Sequence, residues 1–179
     1  MGQHPNCDDR ALGAEITIDT LQCCVESKKM EFAGFGHVTL TVSNYDACLK
    51  FYDRLMTHIG MRRYFESPLG VGWFADEYMF VMGHAAPAGD RFSQWRTGLH
   101  HLSFRARSRD EVDSCYAMLK EIGAKIIFPA EPGPFWPGYY SVVFEDPDGT
   151  RLEMNYIPPE GWEAVAAAAD AIAKGKSAP

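Results

Sequence analysis

Three residues in this chain combine the types and the placement needed to hold a metal ion: His37, His101 and Glu153. Imidazole and carboxylate donors suit Zn, Ni, Mn or Fe(II), and two His with one carboxylate leave positions open for water or substrate. Such an ion works as a Lewis acid on a bound oxygen. Each residue alone has a plainer reading. A single His on a half-buried strand is more often a hydrogen-bonded structural residue, and a single Glu near a turn is usually solvated. The case for a metal rests on their joint placement.

That placement comes from an internal repeat. Gly36-His37-Val38-Thr39-Leu40 resembles His100-His101-Leu102-Ser103-Phe104, and a shift of 64 positions sets His37 on His101, Tyr52 on Tyr116 and Leu55 on Leu119. Each copy opens with an alternating strand. In residues 37–42, Val38, Leu40 and Val42 oppose His37, Thr39 and Thr41; in residues 101–106, Leu102, Phe104 and Ala106 oppose His101, Ser103 and Arg105. The late stretch 151–157 sets Leu152, Met154 and Tyr156 against Arg151, Glu153 and Asn155. Side chains two apart share a face, so all three candidate ligands lie on polar faces. By the same parity His100 points away from His101.

A helix follows each opening strand. Leu49, Tyr52, Leu55 and Ile59 trace one apolar stripe, and Val112, Tyr116, Leu119 and Ile122 the other. Ser43 or Asn44 caps the first helix, Ser108 with Glu111 forms a capping box on the second, and Gly60 and Gly123 end them. Short strands at 62–66, 71–75 and 78–83, then at 125–128, 139–145 and 151–157, complete the modules. Asp146-Pro147-Asp148-Gly149 is a turn between the last two. The reading is an α+β fold of two βαβββ modules, at about 34–84 and 98–158, within a domain spanning 32–158.

Residues 1–31 form an extension without clear periodicity, although Glu15 to Leu21 partly alternates. Residues 159–179 form a helix and tail with Trp162, Val165, Ala169 and Ile172 on one face. The five cysteines have no disulfide-like or zinc-like spacing. With 46% hydrophobic residues the chain can bury a core, and a net charge of −7 without a basic stripe argues against nucleic acid and anionic membrane as partners. No secretory signal or membrane-spanning stretch is evident, which makes a cytoplasmic protein the expectation.

Several segments resemble the vicinal oxygen chelate superfamily, which includes glyoxalase I, fosfomycin-resistance proteins, extradiol dioxygenases, methylmalonyl-CoA epimerases and bleomycin-binding proteins. They are Gly36 to Val42, Phe51-Tyr52, Gly98 to Phe104 and Phe144 to Glu153, within about residues 34–158. The resemblance implies paired modules whose sheets curl around a metal cleft, one divalent ion on His37, His101 and Glu153, and a homodimer in which modules of two subunits often build each site. It further implies a glyoxalase-like lyase or isomerase acting on a small oxygen-chelating substrate, with glutathione compatible as co-substrate and Glu153 able to move a proton. Alternatives are an extradiol-type dioxygenase, a fosfomycin-modifying transferase or hydrolase, and a metal-free bleomycin-type binder. Glyoxalase I usually has a further Glu late in module one, where this chain has Tyr78 to Met82 without a carboxylate.

Strand parity adds pocket candidates. With Glu153 facing inward, Tyr139, Ser141 and Val143 turn the same way, and Tyr139 is placed to donate a proton or hydrogen bond to a bound oxygen. Thr39 and Ser141 agree with polar positions of the fosfomycin-type pocket. Trp73, Phe135 and Trp136 are candidates for an apolar wall.

Overall fold

Strand β1 (His37–Val42) shows its alternation directly in burial: Leu40 and Val42 are buried, while His37, Thr39 and Thr41 are exposed. The structure is a computed structural model and describes residues 32–84 and 91–175. The readings made for residues 1–31 lie outside the described residues.

Module one continues through α1 (Tyr45–His58), β2 (Arg62–Ser67), β3 (Gly70–Ala75) and β4 (Tyr78–His84). Module two repeats the order as β5 (Leu102–Arg105), α2 (Arg109–Glu121), β6 (Lys125–Pro132), β7 (Tyr140–Glu145) and β8 (Arg151–Tyr156), followed by α3 (Pro159–Ala173). The strands form two four-stranded sheets, ordered β1-β4-β3-β2 and β5-β8-β7-β6. In each, the first strand runs parallel to the last, an arrangement the intervening helix makes possible. Among the described residues no helix is long and apolar enough to cross a membrane.

One core joins the inner faces of both sheets with α1 and α2. Tyr52 anchors it, its ring centroid 5.0 Å from Phe80 and 6.4 Å from Trp73, and Phe51 reaches within 6.3 Å of Phe144 across the modules. The helix stripes are wider than the sequence pattern. Cys48, Phe51 and Met56 are buried beside Tyr52 and Leu55, and Cys115 and Met118 beside Val112 and Leu119. Leu49, Ile59, Tyr116 and Ile122 flank them, half-buried. Burial pushes the thiols of Cys48 and Cys115 up to about 12, so both stay protonated and inert.

The helix caps show how the modules are tied together. Ser108 caps α2 through Glu111 N–H at 3.2 Å, and Glu111 reaches back to the amide of Arg107 at 2.6 Å, one residue earlier than a capping box places it. Neither Ser43 nor Asn44 caps α1 by its own side chain. Asp148 does so from 104 residues away. Its carboxylate accepts from Asn44 N–H at 3.1 Å, from Ser43 Oγ at 3.1 Å and from Ser43 N–H. A carboxylate there satisfies orphan amides and complements the positive end of the helix dipole. Asp146, in the same turn, accepts from Tyr52 Oη at 2.8 Å and from the amides of Asp148 and Thr150 at 2.9 and 2.7 Å. Burial raises its carboxyl above the ordinary value even though these donors oppose the shift.

Helix α3 buries Gly161 and Ala168, whereas Trp162, Ala169 and Ile172 of the expected face are exposed. Gly161 explains the rotation: a Cβ there would stand 2.7 Å from Ile157 Cγ2 and 2.8 Å from Pro137 O, so the glycine side sets the close approach. The guanidinium of Arg105 then lies 4.9 Å over the Trp162 ring.

Candidate metal centre

Glu153 projects from the outer face of β8, yet it is only 6% exposed. Tyr139 covers it. The Tyr139 hydroxyl donates to Glu153 Oε1 and accepts from Asn155 Nδ2 at 3.3 Å. Burial, then the hydrogen bond to Glu153, pushes the Tyr139 hydroxyl up to about 12, so it remains a donor at neutral pH. Local backbone places the ring. Gly133 N–H bonds Tyr139 O at 3.1 Å, Tyr139 N–H bonds Trp136 O at 3.0 Å, and a Cβ on Gly133 would meet the Tyr139 ring at 2.6 Å. Phe135 sets its ring edge-on to Tyr139 at 5.3 Å.

The second oxygen of Glu153, Oε2, faces His101 Nε2 at 3.2 Å. His101 immediately precedes β5, on the line of the outward-facing Ser103 and Arg105. The other ring nitrogen, Nδ1, lies 2.7 Å from Nδ1 of His100. This departs from the alternation reading, which turned His100 away. Strand geometry begins only at Leu102, and Gly98 with φ 138° bends the approach, so neighbouring rings need not point to opposite sides.

The other candidates divide. Ser141 is on the same face of β7, in register with Asn155, and half-buried. His37 and Thr39 occupy the outer face of the other sheet, and the structure does not bring His37 into the His101–Glu153 cluster. Among the described residues no three of His, Cys, Asp or Glu stand together as a metal site. Trp73 is not at a cleft. It is 1% exposed on the inner face of β3, with Nε1 donating to Asp53 Oδ1 at 3.1 Å. Inner-face parity with Val71 decided its position. On the outer face of that strand are Gly72 and Phe74, with Tyr64 against Phe74 at 5.8 Å.

The donor chemistry fits a divalent ion. His101 Nε2 and Glu153 Oε2, 3.2 Å apart, are the imidazole nitrogen and carboxylate oxygen that would hold it. Sequence reasoning missed His100 and Asn155 as contacts of this cluster. For Asn155 the shared parity with Glu153 was available; for His100 only the glycine at 98 hinted at a bend.

Comparison with known proteins gives the family and the fold. The chain is 28% identical to the uncharacterized protein YqjT of Bacillus subtilis over 121 residues, 66% of this chain and 94% of that one. It is 30% identical to the metallothiol transferase FosB of Shouchella clausii over 126 residues, 68% of this chain and 79% of that one. A crystal structure of a proposed glyoxalase from Bacillus halodurans superposes with a TM-score of 0.64 at 28% identity, over 70% of this chain and 96% of that one. The family profile matches residues 34–154, both modules together, and the chain therefore belongs to the Glyoxalase/Bleomycin resistance protein/Dioxygenase superfamily.

Proposed function

We propose that the protein is a divalent-metal-dependent enzyme that binds a small substrate through neighbouring oxygens and acts as a glyoxalase-like lyase or isomerase. The carrying observation is Glu153. A carboxylate buried this far is costly unless its oxygens are engaged. One takes the Tyr139 hydrogen bond and the other faces His101 Nε2 at 3.2 Å. The ion when bound supplies Lewis acidity toward the substrate oxygens. Glu153 accepts a substrate proton on the oxygen that Tyr139 releases, and Tyr139 holds that oxygen between turnovers. Ser141 and Asn155 offer hydrogen bonds beside it.

The third ligand is His37 of a second copy of the chain. His37 opens β1 and His101 immediately precedes β5, the two end strands whose outer edges carry no strand partner among the described residues. A homodimer that apposes these edges completes the centre. It also brings to it the apolar outer face of the first sheet, where Met79, Phe74, Val81 and Phe65 lie in rows beside His37 and Thr39. The substrate then presents oxygens to the second sheet and an apolar body to the first.

A second reading, thiol transfer to an oxygen-chelating substrate, draws on the FosB relative and on Val81. Val81 pairs with Thr39 as Glu153 pairs with Ser103, so module one has no carboxylate at the equivalent place. Subunit mixing tests the shared core of both readings. His37→Ala and Glu153→Ala proteins, each metal-poor alone, recover metal when unfolded and refolded together, because each mixed dimer holds one intact site. No recovery at any mixing ratio overturns the shared site. Wild type that carries no metal yet binds an aromatic ligand tightly points instead to a bleomycin-type binder. Glutathione hemithioacetals, epoxides with thiols, and catechols with Fe(II), assayed on the loaded dimer, then separate lyase, transferase and dioxygenase.

A further inference from the structure

We infer that His100 is a positioning residue for His101, accepting the Nδ1 proton of that ring so that its Nε2 lone pair is presented toward Glu153. The inference rests on the metal reading above and adds a residue to it. The geometry is direct. The two rings meet edge to face, with centroids 5.0 Å apart at 77°, and Nδ1 of each is 2.7 Å from the other. That separation is a hydrogen bond, so one proton lies between the two nitrogens. A neutral imidazole carries a single N–H. When His101 gives its Nε2 lone pair to an ion, its proton must be on Nδ1, and His100 Nδ1 must then be the acceptor with the His100 proton on Nε2. Without an ion the pair can hold the opposite tautomers, with His101 Nε2–H directed at Glu153 Oε2, 3.2 Å away. Loading therefore exchanges tautomers along one hydrogen-bonded pair and leaves both rings in place.

Two features hold His100 for this task. The bend at Gly98, with φ 138°, keeps residues 99–101 out of the strand and lets adjacent rings face each other. Trp95 sets its ring edge-on to His100, centroids 5.8 Å apart at 84°. His100 is itself exposed and outside the hydrophobic core, so a purely structural role predicts little effect on folding when it is replaced.

The experiment is a Zn(II) titration of the metal-stripped full-length protein against a chromophoric chelator, with thermal melting of the same stripped samples. His100→Leu removes the acceptor and weakens Zn(II) binding about 10- to 100-fold, with an unchanged melting temperature. His100→Asn places a carbonyl oxygen near the Nδ1 position and restores most of the affinity. His101→Ala is the control and abolishes tight binding. If His100→Leu binds like wild type while His101→Ala does not, His100 has no positioning role and the metal centre stands. Equal losses in His100→Leu and His100→Asn overturn the acceptor role. Wild type without Zn(II) affinity removes both claims together.

Discussion

The two modules share element order, register and inner-face chemistry, and part company on their outer faces and at their last turns. In module one, outward rows run His37, Met79, Phe74, Arg62 and then Thr39, Val81, Gly72, Phe65. In module two they run Ser103, Glu153, Val143, Phe128 and then Arg105, Asn155, Ser141, Glu131. The inner faces build one core, where close packing tolerates little change. The outer faces are free of that constraint. One sets His37 and Thr39 beside largely apolar rows, and the other has gathered Ser103, Glu153, Asn155 and Ser141. The last turns differ in the same direction. Asp76-Glu77 closes module one with Asp76 at φ 51°, while Asp146 to Gly149 closes module two and reaches across to cap α1 and bind Tyr52.

The turn contrast gives the largest expected effect. Asp146→Ala strands three donors: Tyr52 Oη, Asp148 N–H and Thr150 N–H. In urea denaturation it should cost about 3 kcal/mol, since buried donors lose their partner outright. Asp146→Asn keeps a carbonyl for both amides and should cost about 1 kcal/mol. Asp76→Asn, at the corresponding turn of module one and tolerant of its left-handed backbone, should stay within about 0.5 kcal/mol. Comparable losses at both turns would mean that the modules are tied together elsewhere.

The outer-face contrast gives the next. Tyr139→Phe removes the donor to Glu153 Oε1 but keeps the ring packed against Phe135. Metal affinity should fall about 10-fold, the usual scale for a group that steadies a ligand, with little change in melting temperature. Val81→Ala, at the position equivalent to Glu153, should leave affinity unchanged. A large loss at Val81 with none at Tyr139 would reverse the assignment of the two faces.

Strand parity and the repeat made most of this architecture legible in the sequence. They located β1, β5 and β8, paired Glu153 with the first-strand face, and put Tyr139 and Ser141 beside it. What escaped them depended on contacts distant in sequence or on broken regularity. Trp73 is an example: an aromatic in a strand reads equally well as wall or core, and its Asp53 partner on α1 lies 20 residues away. Asp148 reads as turn chemistry, and nothing local shows that its carboxylate caps a helix in the other module. His100 defeated parity because the strand had not yet begun. His37 could be recognised by type and parity as a ligand candidate, but the described residues do not bring it to the His101–Glu153 pair, and assembly is a question that periodicity does not address.

The smallest effect concerns acid stability and is again confined to module two. Glu145 closes the β7–β8 hairpin opposite Arg151, where module one has Ala75 opposite Tyr78. Burial works against the Glu145 charge, but Lys125 Nζ at 2.8 Å and Arg151 Nη2 at 3.0 Å outweigh it and hold its carboxyl below the ordinary 4.5. A carboxylate whose folded value is depressed binds fewer protons folded than unfolded. Its stabilisation is therefore fully present above the unfolded value and is lost as pH falls through the folded one. Glu145→Gln should be less stable than wild type by about 1 kcal/mol at pH 7, a modest figure because the Lys125 side of the pair is open to solvent. The gap should narrow below pH 4.5 and shrink in high salt, where the exposed charge is screened. Urea midpoints of both proteins between neutral and acidic pH measure this directly. A gap that stays constant across the range would show that Glu145 contributes through packing and neutral hydrogen bonds, with no part played by its charge.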